Sequence, residues 1–291
     1  AKSNMLGIFL VFLSACFFGF SNAYWKKAVA ARPFLQIIFI RGMYSTLFFF
    51  LCCLVDYYSA FFQTWIGVPP IFNGKELGLS FALCLFSSFG LYFFVKSVKE
   101  SPVSIVIPLS SINLFGLLTA VFVLGEDWRN SYSWAFLFVL MGIYFIYKNE
   151  LQFNSTSQFF RALVGGLLAS FFWGVSYALF KYPIAWLGVL RFTFLLEFSV
   201  TSMVGIMILA QKQSLQAISH QPIRILALCL ILGSIFLHIA YQLTDITKIV
   251  FAGKFQLIIS ILVGKWLYRE PIGLYRWTGI GFLLLSIYFV F

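Results

Sequence analysis

Apolar side chains run along this chain in ten stretches, at about residues 5–25, 34–55, 77–95, 103–124, 131–147, 162–180, 184–210, 223–243, 246–267 and 272–291. At about 1.5 Å of rise per residue, roughly 20 apolar residues are needed to cross the hydrocarbon core of a bilayer. The pattern predicts ten transmembrane helices. Proline marks several breaks, at Arg32-Pro33, Ser101-Pro102, Tyr182-Pro183, Gln221-Pro222 and Glu270-Pro271, because the residue before a proline is driven out of the helical region. Most connections are short, so neighbouring helices are antiparallel. Two connections are longer. Tyr57–Lys75 carries Tyr58, Phe61, Phe62, Trp65 and Pro69-Pro70, and its aromatics suit the headgroup layer as an interfacial loop or short surface helix. Asn149–Gln158 is the strongly polar linker.

That linker separates two copies of one unit. Leu13–Lys27 reads LSACFFGFSNAYWKK and Leu168–Lys181 reads LASFFWGVSYALFK. At an offset of 155, Phe18 falls on Trp173, Gly19 on Gly174, Asn22 on Tyr177 and Lys26 on Lys181. Pro33 and Arg41 then match Pro183 and Arg191 at 150, and Glu126 and Tyr144-Phe145 match Glu270 and Tyr288-Phe289 at 144. An offset that shrinks steadily along the whole chain is the mark of an internal duplication. The expected units are 1–148 and 161–291, joined by a linker over 149–160. Five helices per copy is an odd number, so the second copy enters the membrane from the opposite side. The expected fold is all-α: ten transmembrane helices as two inverted five-helix repeats.

Composition agrees. Of 291 residues, 62% are apolar, 21% aromatic and 10% charged, which is the profile of a polytopic membrane protein. A formal charge of +11 would suggest nucleic acid in a soluble chain. Here several basic residues sit inside apolar segments, which points to a cation-lined cavity and to no nucleic-acid partner. Cys16, Cys52, Cys53, Cys84 and Cys229 all lie in apolar runs, as buried thiols, with no metal or disulfide spacing. Lys2 and Leu13-Ser14-Ala15-Cys16 resemble a lipoprotein signal, but the apolar run continues past Cys16 and its repeat starts a helix mid-chain. Charge also bears on orientation. The side where the first helix starts holds Lys2, Lys75, Arg129, Lys181 and Lys248. The opposite side holds Lys26, Lys27, Arg32, Lys96, Lys99, Lys148, Arg161, Lys212, Arg224, Lys265, Arg269 and Arg276. Positive-inside bias by itself places the N-terminus outside.

Several motifs add a family resemblance. A Pro-x7-Arg pattern enters the second and seventh helices, and Ser101-Pro102-Val103-Ser104-Ile105-Val106-Ile107-Pro108-Leu109 leads on to Gly125-Glu126. The counterpart of that ending is Leu267-Tyr268-Arg269-Glu270-Pro271, before the Gly279-Ile280-Gly281 helix. In these and in its five-plus-five plan the chain resembles the EamA type of the drug/metabolite transporter superfamily over nearly its whole length. The resemblance implies a secondary transporter of small polar metabolites in the bacterial inner membrane, with a cavity built by the first, third, fourth, sixth, eighth and ninth helices. It also implies cytoplasmic termini, against the charge count, and this orientation is the one expected here. Where the first copy has Pro108-Leu109-Ser110, the second has Ala252-Gly253-Lys254: a proline is lost and a lysine gained.

Charges inside a bilayer face a partner or a water-filled cavity. Lys254, two turns into the ninth helix, has Ser110 as its repeat mate, so the duplication does not itself require a cation there. It either meets a substrate or pairs with Glu197, near the middle of the seventh helix. Arg41 and Arg191 are repeat mates and read as a structural pair or snorkelling side chains; Lys26 and Lys181 end the first and sixth helices. Glu197 either neutralises a basic neighbour or carries a proton. Glu126 and Glu270 suit caps for the helix that follows each. His238 is either a cavity group or a core histidine. Asn22, Asn113, Tyr92, Trp173 and Tyr177 complete the candidate substrate contacts, since an unpaired polar group in hydrocarbon costs several kcal/mol.

No His-x-x-x-His, paired-carboxylate or nucleophile-elbow motif is present in the sequence, and its two histidines are His220 and His238. No enzyme, metal or cofactor is expected. The expectation is a secondary transporter, acting as a monomer in the lipid bilayer by alternating access. Its substrate is a small organic anion bearing carboxylate or phosphate. The alternatives are an exporter of amino acids or other zwitterionic or neutral metabolites, then a non-transporting membrane protein or a membrane enzyme.

Overall fold

A computed structural model describes residues 2–30, 33–63, 73–101, 103–111, 113–148, 156–214, 221–269 and 272–291. Its helices are α1 (Lys2–Ala30), α2 (Phe34–Ser59), α3 (Gly74–Glu100), α4 (Val103–Ser110), α5 (Leu114–Phe122), α6 (Asn130–Tyr147), α7 (Thr156–Leu179), α8 (Lys181–Leu187), α9 (Val189–Ala210), α10 (Gln221–Leu243), α11 (Ile246–Ala252), α12 (Phe255–Tyr268) and α13 (Leu274–Tyr288). Eight helices among the described residues are long and apolar enough to cross a bilayer, counting 246–267 as one. The last helix, α13, has 15 residues.

Among the described residues all ten apolar stretches fold as helix, and three of them are broken in two. The fourth stretch stops at Ser110, two residues after Pro108, whose missing N–H weakens the helix. It restarts after Asn113, which adopts the left-handed conformation at φ 51°, a state that asparagine tolerates better than most residues. The seventh stretch begins already at Lys181, with Pro183 in its first turn, and breaks at Gly188, where φ is 77°. Only glycine takes up such a backbone cheaply. The ninth breaks at Gly253-Lys254, where Lys254 N–H bonds the Phe251 carbonyl at 3.0 Å in a tightened turn. Lys254 therefore sits at a junction, as the N-cap of α12, and not inside a continuous helix.

The ends of the 57–75 connection are helical. Tyr57–Ser59 continue α2, and Lys75 lies in α3, whose start is fixed by a capping box between Asn73 and Glu76 with both bonds at 2.9 Å. Trp65 and Pro69-Pro70 lie outside the described residues, as does most of the 149–160 linker.

The most extensive helix contacts all join one half of the chain to the other: α1 with α10 and α12, α7 with α3 and α5, α2 with α9, and α6 with α13. With lipid outside, tight apposition and hydrogen bonds hold such interfaces together. On α2–α9, Thr46 and Thr201 hydroxyls meet at 3.1 Å. On α5–α7, Gly116 and Gly174 bring two backbones together, and on α6–α13 Gly142 and Gly279 do the same. Large apolar side chains such as Phe9, Leu47, Phe122, Trp266 and Tyr288 point outward, where lipid covers them.

A methyl group at Gly279 would lie 2.7 Å from the Gly142 carbonyl oxygen and 2.7 Å from the Ile146 side chain, whereas at Gly281 it meets open space. Gly279→Ala is expected to lower stability by about 1–3 kcal/mol through overpacking, and Gly281→Ala to leave it unchanged. Thermal unfolding of the two variants in one detergent checks this.

Candidate functional site

A cavity of about 170 Å³ lies in the bundle, lined from α1, α2, α3, α7, α9, α10 and the junctions of two of the three broken stretches, α4–α5 and α11–α12. That volume holds on the order of ten waters. The two junctions face it. Each break leaves backbone groups without intrahelical partners, and irregular backbone at membrane depth is tolerated only where it is buried in protein or lines such a cavity. Asn113 and Lys254, the N-caps of α5 and α12, both line it. The Lys254 ammonium donates to the Ser111 carbonyl, so the cation of one junction satisfies an acceptor of the other. Asn113 N–H reaches the Ser170 hydroxyl at 3.3 Å.

The structure pairs Glu197 with Arg41 and not with Lys254. Arg41 Nη1 contacts Glu197 Oε2 across the α2–α9 interface, both side chains are buried, and both residues line the cavity. Arg41 is thus an interior ion-pair member and not a snorkelling residue. Its Nε has no hydrogen-bond partner among the described residues. The charged residues that line the cavity are Arg41, Glu197 and Lys254, one acid against two bases.

Asn22 is buried in the wall, its amide donating to the Ser260 hydroxyl at 3.0 Å, and Ser260 donates in turn to the Gln256 carbonyl at 2.8 Å. Trp173 stacks on Tyr177 with centroids 6.0 Å apart and planes at 13°, and meets Phe94 at 5.2 Å. An aromatic side and a charged side therefore enclose one space. Such a space can hold the apolar part of a small molecule against rings and its polar part against the junctions.

Of the sequence candidates, Asn22, Asn113, Trp173, Tyr177 and Lys254 come together in this lining, with Arg41 and Glu197. His238 and Tyr92 are not in it. His238 is buried, with its Nδ1 2.6 Å from the Thr193 hydroxyl and its ring against Phe192 at 5.2 Å. Tyr92 packs on Phe34 and Phe93. Arg191 is half-buried on α9 away from the cavity, and Lys181 is exposed at the start of α8. The side chain of Lys26 and all of Glu270 and His220 lie outside the described residues.

Two features were missed in the sequence. One is the Ser111 carbonyl, which no side-chain pattern announces. The other is Glu126, which does not cap the helix that follows it. Its carboxylate accepts from Ile246 N–H at 2.7 Å, Thr247 N–H at 2.9 Å and the Thr247 hydroxyl at 2.8 Å, and so closes the N-terminus of α11. Cap chemistry was legible; which helix it served was not.

The model of the EamA-like transporter family matches residues 5–148 and 160–291. The chain belongs to this family. As an EamA-like transporter it is an integral membrane protein, and its cavity belongs to a family that moves small molecules across a membrane. It is similar to the pseudopaline exporter CntI of Pseudomonas aeruginosa in two strains, 25% identical over 253 residues, covering 79% of this chain and 84% of the exporter. One crystal structure shares the fold with a TM-score of 0.73 at 11% identity, covering 100% of this chain and 96% of its own.

Removing either partner of the Arg41–Glu197 pair leaves a buried charge uncompensated, which costs about 3–5 kcal/mol in such settings. Arg41→Gln and Glu197→Gln are each expected to lower thermal stability, and the double variant to lose clearly less than the sum. A double-mutant cycle read by thermal unfolding measures this coupling.

Proposed function

We propose that this EamA-like transporter is a secondary exporter of a small organic anion, carrying carboxylate or phosphate, in the bacterial inner membrane. The observation that carries this reading is the lining charge: two bases against one acid, with Lys254 at the point where both helix junctions meet. The N-terminal ends of α5 and α12 add partial positive charge at the same place, and half-helix N-termini commonly meet anionic groups in transporters built on repeats. At an effective dielectric of ~20, a unit pair 4 Å apart gains about 4 kcal/mol before desolvation is subtracted. Lys254 and Asn113 hold the anionic group, while Trp173, Tyr177 and Asn22 shape the remainder. The relatives named as exporters support the outward direction.

The mechanism is alternating access by two inverted five-helix units, residues 1–148 and 161–291. The two matched segments of the family model support this. So does the packing: the pairs α1–α10 and α1–α12 exchange with α7–α3 and α7–α5, while α2–α9 and α6–α13 map onto themselves. Rocking of one unit against the other would open the cavity to each side in turn. A second reading is a zwitterionic substrate such as an amino acid, favoured by Glu197 lying in the lining beside Arg41.

Screening organic anions, amino acids and organic cations by thermal shift on the purified protein separates the readings. Anions are expected to stabilise wild type, and Lys254→Gln to lose that stabilisation by tenfold or more in apparent affinity while remaining folded. Stabilisation only by cations or amino acids overturns the anion reading. With Glu197 held by Arg41, transport is expected to proceed by uniport or exchange. Liposomes in which substrate movement dissipates a pH gradient, and no longer does so in Glu197→Gln, would reverse that.

A further inference from the structure

Two rings of the cavity lining rest on glycines that are not in it. Trp173 on α7 lies over Gly90 of α3, where a methyl group would stand 2.5 Å from Trp173 Cδ1 and 2.7 Å from its Nε1. Phe18 on α1 lies over Gly233 of α10, where a methyl group would stand 2.7 Å from Phe18 Cε1 and 2.8 Å from its Cδ1. Phe18 and Trp173 line the cavity, whereas Gly90 and Gly233 do not, so each ring stands between its glycine and the open space. The two arrangements correspond in sequence. The rings are 155 residues apart and the glycines 143. The same offset of 143 pairs Ser87 with Leu230, Leu91 with Ser234 and Phe94 with Leu237, and all six line the cavity.

The helices that carry the rings have little slack. The Ser14 hydroxyl, one turn before Phe18, donates to the Gly233 carbonyl at 2.8 Å. Gly19, next to Phe18, presses on α12, where a methyl group would lie 2.8 Å from the Gln256 carbonyl oxygen. Gly174, next to Trp173, presses on α5, where a methyl group would lie 2.8 Å from the Gly116 nitrogen. α1 is thus held between α10 and α12, and α7 between α3 and α5. Trp173 is flanked by Phe94 at 5.2 Å and Tyr177 at 6.0 Å. Restoring ordinary contact at about 3.5 Å over a methyl group at position 90 moves the indole by about 1 Å, and its open side is the cavity. Helix apposition alone accounts for Gly142 and Gly279, which meet each other's carbonyls on the α6–α13 pair. At positions 90 and 233 the glycine accommodates a ring of the lining instead.

We propose that Gly90 and Gly233 are specificity-determining residues: by seating Trp173 and Phe18 they set the size of the uncharged body that the substrate carries. This assignment rests on the reading of the cavity as the site of a small organic anion. An apolar cavity of about 150 Å³ takes up benzene. The space of about 170 Å³ here therefore suits a carboxylate on one six-membered ring and excludes a cage of several rings. Trp173 is the larger of the two stops, so position 90 has the stronger effect on that limit.

The test uses acetate, cyclohexanecarboxylate and adamantane-1-carboxylate, one carboxylate on bodies of increasing size, in thermal shifts on the purified full chain. Cyclohexanecarboxylate is expected to stabilise wild type, and adamantane-1-carboxylate not to. Gly90→Ala is expected to weaken cyclohexanecarboxylate by about tenfold or more, the scale of one methylene in a filled pocket, and to leave acetate unchanged. Trp173→Leu is expected to admit adamantane-1-carboxylate, and the double variant to recover cyclohexanecarboxylate. A second readout needs no substrate. In chains with Cys16, Cys52, Cys53, Cys84 and Cys229 replaced, Ser87→Cys places a thiol in the lining one turn from Gly90. Gly90→Ala is expected to slow its reaction with benzyl methanethiosulfonate by about tenfold and to leave methyl methanethiosulfonate unaffected. Trp173→Leu, which removes bulk and so carries the test if Gly90→Ala does not fold, is expected to speed the benzyl reagent. Equal responses to both reagents, or no change in Trp173→Leu, overturn the proposal. Carboxylates that stabilise wild type and both variants alike overturn the size assignment and leave the anion reading standing. No stabilisation by any carboxylate, with the expected labelling pattern, overturns the anion reading and leaves the size assignment standing.

Discussion

The bilayer offers no water to the backbone, so each N–H and C=O in the hydrocarbon needs a partner inside the protein. This constraint shapes the centre of the molecule more than any side-chain preference does. Three of the apolar stretches give up continuous helix, and several backbone groups left free at helix ends near the cavity are answered from elsewhere in the chain. Lys254 answers the Ser111 carbonyl, Ser170 answers the Asn113 amide, and Glu126 answers three donors at the start of α11. The partners come from the opposite half each time. The same contacts that make the breaks tolerable therefore join the two halves around the cavity.

Charge is distributed by the same logic. The Arg41–Glu197 pair is buried between α2 and α9, where opposite charges meet across that interface. Lys254 has the Ser111 carbonyl as one partner and is the third ionisable charge carrier in the lining. In a cavity of low dielectric such a charge acts over longer distances than in water. Placing it where two half-helices begin adds their dipoles to it.

Between the halves, packing relies on small residues. The Gly116–Gly174 and Gly142–Gly279 approaches let backbones come close where a methyl group would collide, and lipid supplies no hydrophobic force to compensate for a looser fit. These contacts lie beside the cavity on α5–α7 and at the periphery on α6–α13.

Much of this protein was written in the sequence. Ten apolar stretches determine a helical membrane protein, because hydropathy and periodicity are local properties of a chain. The lone lysine at 254, set against Ser110 in the other copy, marked one cavity residue for the same reason. Asn22, Asn113, Trp173 and Tyr177 were recognised as polar or aromatic oddities in apolar runs, and all line the cavity. His238 and Tyr92 were equally odd in sequence and pack in the walls instead, since whether a side chain faces the cavity or a neighbouring ring depends on helix rotation. Glu197 finding Arg41, and Glu126 finding α11, were decided only by the tertiary structure. These partners stand 156 and 120 residues apart, and a distance that long is set by how the halves pack, which no local pattern encodes.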